Sequence, residues 1–286
     1  MNFLTFIEAT FQYDFLQKAL ITSVMVGIIC GVIGCFIILR GMSLMGDAIS
    51  HAVLPGVAIS YLLGINFFIG AVVTGLLTAL GIGFVSQNSR IKNDTAIGIL
   101  FTSAFALGII LISFLRSSSD LYHILFGNVL AVRPSDMWMT LIIGIIVLGA
   151  IYLFYKELLV TSFDPTMAAA YGLSTRLVHY LLMTMLTLVT VASLQTVGII
   201  LVVAMLITPA ATAYLLTNRL SRMIFLSAGF GTISSIVGLY FSFTYNLSSG
   251  ASIVLVATAL FALVFVFSPR HGLLRKWKSS KKELTT

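Results

Sequence analysis

Nine apolar runs of membrane-spanning length recur along this chain, at about residues 15–39, 43–64, 66–87, 95–115, 136–155, 177–194, 196–217, 223–245 and 250–268. About 20 apolar residues carry an α-helix across the hydrocarbon core of a bilayer, where every backbone N–H and C=O must be bonded within the protein. Composition closes off the soluble alternative. Of 286 residues, 59% are hydrophobic and only 9% charged, and the mean hydropathy is +1.10, which leaves too little polar surface to clothe a water-soluble globule. The expectation is an all-α polytopic membrane protein with eight or nine transmembrane helices. Residues 1–268 form a single membrane domain and residues 269–286 a basic tail.

The first 14 residues carry Glu8 and Asp14 and lack a basic start followed by a small-residue cleavage site, so no cleavable leader is expected. Cys30 and Cys35 lie five apart in the first run, on different faces of a helix, and read as small buried hydrophobes. Orientation follows from the basic residues, because cytoplasmic connectors accumulate Lys and Arg. Arg40, Arg90, Lys92, Lys156, Arg176, Arg219, Arg222 and the tail residues Arg270, Arg275, Lys276, Lys278, Lys281 and Lys282 fall on one side, 13 of the 16 basic residues. Lys18, Arg116 and Arg133 fall on the other. The alternation predicts a cytoplasmic C-terminus and, with nine passes, an external N-terminus. It also accounts for the net charge of +7 through anionic lipid, with no nucleic-acid partner.

Asp47 is the one acidic residue inside a long apolar run, and His51 follows it by four positions. Four residues is a little over one helical turn, so carboxylate and imidazole share a face. An ionisable group at membrane depth is costly, and where one is kept it commonly serves transport or proton relay. The competing reading makes Asp47 a hydrogen-bond partner for a helix end, for Ser43 or for Ser50. Pro55 has no N–H for the His51 carbonyl, four residues earlier, so that oxygen leaves the helical ladder beside the pair. Gly46 and Gly56 flank the segment and allow close approach by another helix or a symmetry mate. Pro209 is expected to break the seventh run in the same way, freeing the Met205 carbonyl. A carboxylate and an imidazole suit manganese(II), zinc(II) or iron(II), although Met42 and Met45 lie nearby. One Asp and one His give too few donors for such ions, and a two-fold dimer would double the set. His123 and His179 have no acid at helical spacing and read as structural, and His271 belongs to the tail.

Two connectors exceed what a turn needs. Residues 116–135 hold an apolar stretch too short to span, which predicts a re-entrant or surface-lying helix on the outer side. Residues 156–176 predict a short cytoplasmic helix, with Asp164 as cap, Pro165 at its first position and Gly172 at its end. No phosphate-binding Gly-x-x-x-x-Gly-Lys-Ser/Thr, no His-Glu-x-x-His and no Gly-x-Ser-x-Gly occurs in the chain. The chain is therefore read as a transport subunit and not an enzyme; an ATP-driven process would need its motor on another subunit, with the 163–172 helix the place for it to push.

The stretch from Arg40 through Gly46-Asp47-Ala48-Ile49-Ser50-His51 to Pro55-Gly56 resembles the signature of permease subunits of bacterial manganese, zinc and iron ABC importers. Ala96–Phe101, Leu125–Asn128, Phe163-Asp164-Pro165, Val197–Ala211 and Ser249–Ala251 extend the resemblance over nearly the whole chain. Within that family it is most similar to the manganese permeases of Gram-positive bacteria. The resemblance implies a multi-pass protein of the bacterial cell membrane, a homodimer joined to two cytoplasmic ATPase subunits and fed by an extracellular metal-binding lipoprotein. No cofactor is implied beyond the transported ion. Asp47 and His51 match the family's metal site, and Phe163, Asp164, Pro165, Ala168 and Gly172 match its coupling helix. Val53, Leu54 and Val57 are gate candidates on the outer side of the pair. Transport would proceed by alternating access between the two protomers. A proton-coupled secondary transporter, a vitamin B12 or siderophore importer, and a membrane scaffold or enzyme are the rival readings.

Overall fold

In a lipid core the backbone has no water to bond, so the apolar runs fold as helices, with Gly, Asn and Pro setting their ends. The computed structural model describes residues 3–114 and 129–268, and among them all regular structure is helical. The helices are α1 (Phe3–Gln12), α2 (Asp14–Leu39), α3 (Met45–Ala52), α4 (Leu54–Leu63), α5 (Phe67–Asn88) and α6 (Asn93–Ser113). After a single 3-10 turn at Val129–Ala131 come α7 (Pro134–Leu153), α8 (Tyr155–Phe163), α9 (Pro165–Ala170), α10 (Thr175–Val197), α11 (Ile199–Tyr214), α12 (Leu220–Tyr245) and α13 (Ser249–Phe267). The expected helix in 116–135 and the tail from 269 lie largely or wholly outside the described residues, as do Arg116, His123 and His271.

Among the described residues eight segments are long and apolar enough to cross a membrane, α3 and α4 together counting as one. The remaining apolar run, the seventh in chain order, is α11, whose 16 residues span about 24 Å at 1.5 Å per residue, short of a full hydrocarbon core. Pro209 sits inside α11 without ending it, contrary to the sequence expectation. A single missing N–H frees one carbonyl, and a helix packed among neighbours tolerates that. The break falls instead at Gly198, whose φ of 83° and ψ of 167° separate α10 from α11. An L-residue rarely adopts that conformation.

Helix α2 runs through the middle of the bundle and packs on α12, α11 and α7. Gly27 and Gly231 meet at the α2–α12 crossing so closely that an added Cβ on either would strike the other's backbone. Ser227 and Ser235 of α12 donate to the Gly31 carbonyl (2.8 Å) and the Ser23 carbonyl (2.9 Å) of α2. Gly56 of α4 and Gly70 of α5 make a second such approach.

Short polar contacts tie the helix ends together. Arg40 at the end of α2 bonds Thr161 and Ser162 of α8. Tyr155 meets Ser221 at 2.8 Å, and the Ser268 hydroxyl donates to the Leu215 carbonyl at 2.8 Å. Phe6 packs on Tyr240 and Phe243, near the end of α12 remote from Ser221.

Candidate functional site

The second apolar run is a broken helix. Its first half, α3, ends at Ala52; Val53 closes the last turn with its N–H on the Ile49 carbonyl at 3.2 Å, and α4 restarts with Pro55 in its first turn. Proline favours this position because its missing N–H is one that a helix start leaves unused anyway. The short α3 presents Asp47 from its first turn and His51 from its last.

Asp47 Oδ1 and His51 Nε2 stand 3.5 Å apart, and the two side chains are 43% and 29% exposed. That gap is long for a strong hydrogen bond. It is close to the separation of two ligands sharing one cation, about 3.0–3.4 Å when each lies about 2.1 Å from the ion. The alternative partners drop away. Ser50 donates to the Gly46 carbonyl at 2.8 Å, and α3 has no side-chain cap bond. The imidazole is packed by aromatic rings, Phe105 edge-on at 5.4 Å between centroids and Phe101 tilted at 5.8 Å. Its Nδ1 is buried with no hydrogen-bond partner. The rings fix the imidazole plane sterically, the part that a hydrogen-bonded carboxylate or carbonyl plays for many metal-binding histidines.

Both side chains open on a cavity of about 490 Å3 lined also by Phe105, Ile199, Ile200, Val203, Ala204, Ile207 and Thr208. Asp47, His51 and Thr208 are the polar members of that wall, and Ile200 is 53% exposed at the surface. The α11 face was not legible as a wall, because its residues read as one more apolar span. Among the described residues no group of three or more His, Cys, Asp or Glu side chains gathers, so one chain brings two such donors to this place. Val53, Leu54 and Val57 are buried at 3% exposure or less and lie outside the cavity lining; Val53 lies against Gly75 of α5 and Leu54 against Gly108 of α6.

At the end of the bundle where Arg40 lies, Asp164 caps α9. Its carboxylate accepts from the Met167 N–H at 2.9 Å and from the Thr166 hydroxyl at 2.6 Å. The Thr166 bond, then the Met167 N–H, hold its pKa below the ordinary 3.8. Pro165 occupies the first turn, Ala168 is buried, and Gly172 follows with φ 80°. Phe163, Met167 and Tyr171, four apart in sequence, are 59%, 48% and 71% exposed.

The sequence matches the ABC 3 transport family over residues 12–268. The chain belongs to that family. It is 71% identical to the manganese transport system membrane protein MntC of Listeria innocua, over 98% of this chain and 99% of that protein. It is 55% identical to the manganese import system permease protein ScaB of Streptococcus gordonii, over 95% and 98% respectively. Among solved structures, a chain of PsaBC from Streptococcus pneumoniae, determined in complex with Fab, superposes with a TM-score of 0.86 at 55% identity, covering 96% of this chain and 99% of that one. The all-α membrane architecture read from the apolar runs is thus that of ABC importer permeases, and the recognition from the Asp47–His51 segment holds at the level of the family.

Proposed function

We propose that this chain is the membrane-spanning permease subunit of an ATP-driven manganese(II) importer. It works as a homodimer, with two cytoplasmic ATPase subunits and an extracellular metal-binding lipoprotein. The observation that carries the reading is the Asp47–His51 pair, 3.5 Å apart on one short helix and open to an otherwise largely apolar cavity. The relatives named for manganese transport support the choice of ion. Carboxylate and imidazole donors fit manganese(II), zinc(II) and iron(II) alike and disfavour softer copper(I).

In this reading the ion enters between two protomers and is held by Asp47 and His51 from each. Four side chains then supply what two cannot, and the hold is brief because the carboxylates remain partly solvated. The apolar wall of Phe105, Ile200, Val203 and Ile207 excludes water on either side of the ion, with Val53, Leu54 and Val57 packed behind it. The end bearing Arg40, Tyr155 and Ser221 faces the cytoplasm, where α9 with Phe163, Asp164, Pro165, Ala168 and Gly172 receives the push of the ATPase. Elemental mass spectrometry of metal-limited cells tests this. Asp47→Ala and His51→Ala in a deletion strain are expected to leave manganese at the deletion level while the protein accumulates normally. Wild-type manganese in both variants would remove the site, and a selective loss of zinc or iron would change the cargo.

A further inference from the structure

Arg40 opens the five-residue segment Arg40–Leu44 that leads from α2 into α3, and so into the helix bearing Asp47. The corner is fixed. Gly41 takes φ 65°, its N–H bonds the Ile38 carbonyl and the Met42 N–H bonds the Ile37 carbonyl, both at 3.0 Å, a closed helix end of the kind glycine permits. From this corner the Arg40 side chain reaches across to α8. Its Nε donates to Ser162 Oγ at 3.1 Å and its Nη2 to Thr161 Oγ1 at 2.7 Å.

The two hydroxyls spend their own hydrogens one turn back. Ser162 donates to the Leu158 carbonyl at 2.6 Å and Thr161 to the Glu157 carbonyl at 2.7 Å, so each turns a lone pair toward the guanidinium. Thr161 is 5% exposed and Leu158 fully buried. Phe163 and the cap residue Asp164 come next in the chain. Among the described residues Lys18 pairs with Asp14 and His51 lies beside Asp47, and Arg40 is in neither contact. Burial draws its pKa down to about 10, so it stays a cation at neutral pH.

A half-buried guanidinium whose recorded partners are neutral hydroxyls is a poor source of stability, because desolvation is not repaid by a counter-charge. What the planar fork does supply is direction, since it holds two adjacent residues of α8 at a fixed angle. We propose that Arg40 is a positioning residue that ties the ion-bearing segment to the ATPase-facing segment. A displacement of α8 and α9 is then handed through the Arg40–Gly41 corner to α3 and Asp47. This rests on the function proposed above.

The test uses the complex assembled with its ATPase subunit in liposomes, with ATP hydrolysis and manganese uptake measured on the same vesicles. Arg40→Gln and the partner-side variant Thr161→Val/Ser162→Ala are each expected to hydrolyse ATP near the wild-type rate while moving about fivefold less manganese per ATP. Combining them should add little, as groups in one interaction are not additive. Arg40→Lys, which keeps the charge and loses the fork, should not restore coupling. Unchanged manganese per ATP in either variant overturns the proposal, and so does an equal loss of hydrolysis and uptake, the mark of plain structural damage. Should Arg40→Gln not assemble, the partner-side variant decides, because it leaves the Arg40 charge in place. Wild-type vesicles that hydrolyse ATP and move no manganese would fail the function reading itself, a separate result.

Discussion

Where α2 crosses α12, two unbroken helices of 26 residues each close on Gly27 and Gly231. The second span is instead cut at Val53 into helices of 8 and 10 residues, with the ion-binding candidates on the first. At the crossing the helices run unbroken and two serines of α12 staple onto carbonyls of α2, which suits a frame that does not move. At the break, a proline withholds an N–H, a carboxylate and an imidazole face a cavity, and the ring is packed by Phe101 and Phe105. Continuity and close glycine contact make the scaffold, and interruption makes the site.

Substitutions at Gly231 and Pro55 probe that division, beginning with the more damaging, and those at Asp164 give a reference outside it. Gly231→Leu forces a side chain into the Gly27 backbone, and overpacking of this kind should cut the yield of monodisperse protein about tenfold or more by size-exclusion chromatography. A normal yield would show that the crossing has slack and is not the frame. Pro55→Ala restores an N–H opposite the His51 carbonyl and lets the two halves of the span fuse. Yield should hold while manganese uptake falls by about two- to tenfold. Unchanged uptake would mean that the break is incidental to the site.

The smallest effect is expected at Asp164, which belongs to neither region. Its pKa is depressed in the fold by Thr166 and the Met167 N–H, so the cap's contribution is present above the ordinary value of 3.8 and is lost as pH falls through the lower folded value. Uptake per ATP should therefore show no dependence on this group near neutral pH. Asp164→Asn, which also caps, should behave almost as wild type, whereas Asp164→Ala should lower uptake per ATP. Equal uptake by the alanine variant would detach the α9 cap from coupling.

Much of this was legible in the sequence. Span-length apolar runs foretold the helices, the i,i+4 spacing put Asp47 and His51 on one face, and Asp164-Pro165 marked the start of α9. What escaped were pairings between residues remote in sequence. Nothing local to Gly27 names Gly231, nothing near His51 names Phe101 and Phe105, and Arg40 meets Thr161 only because α2 and α8 end at the same level. Pro209 was misjudged for a related reason. Whether a proline breaks a span depends on neighbours that re-satisfy the freed carbonyl, and at Gly198 the positive φ decided the break instead.

Pulsed electron paramagnetic resonance of manganese(II) added to the purified complex tests the pair most directly, because coupling to a nitrogen nucleus reports a histidine bound to the ion. The account predicts a histidine nitrogen signal in the wild type that disappears in His51→Ala, with the bound ion itself weakened in Asp47→Ala. A nitrogen signal that survives intact in His51→Ala would place the ion elsewhere and contradict it.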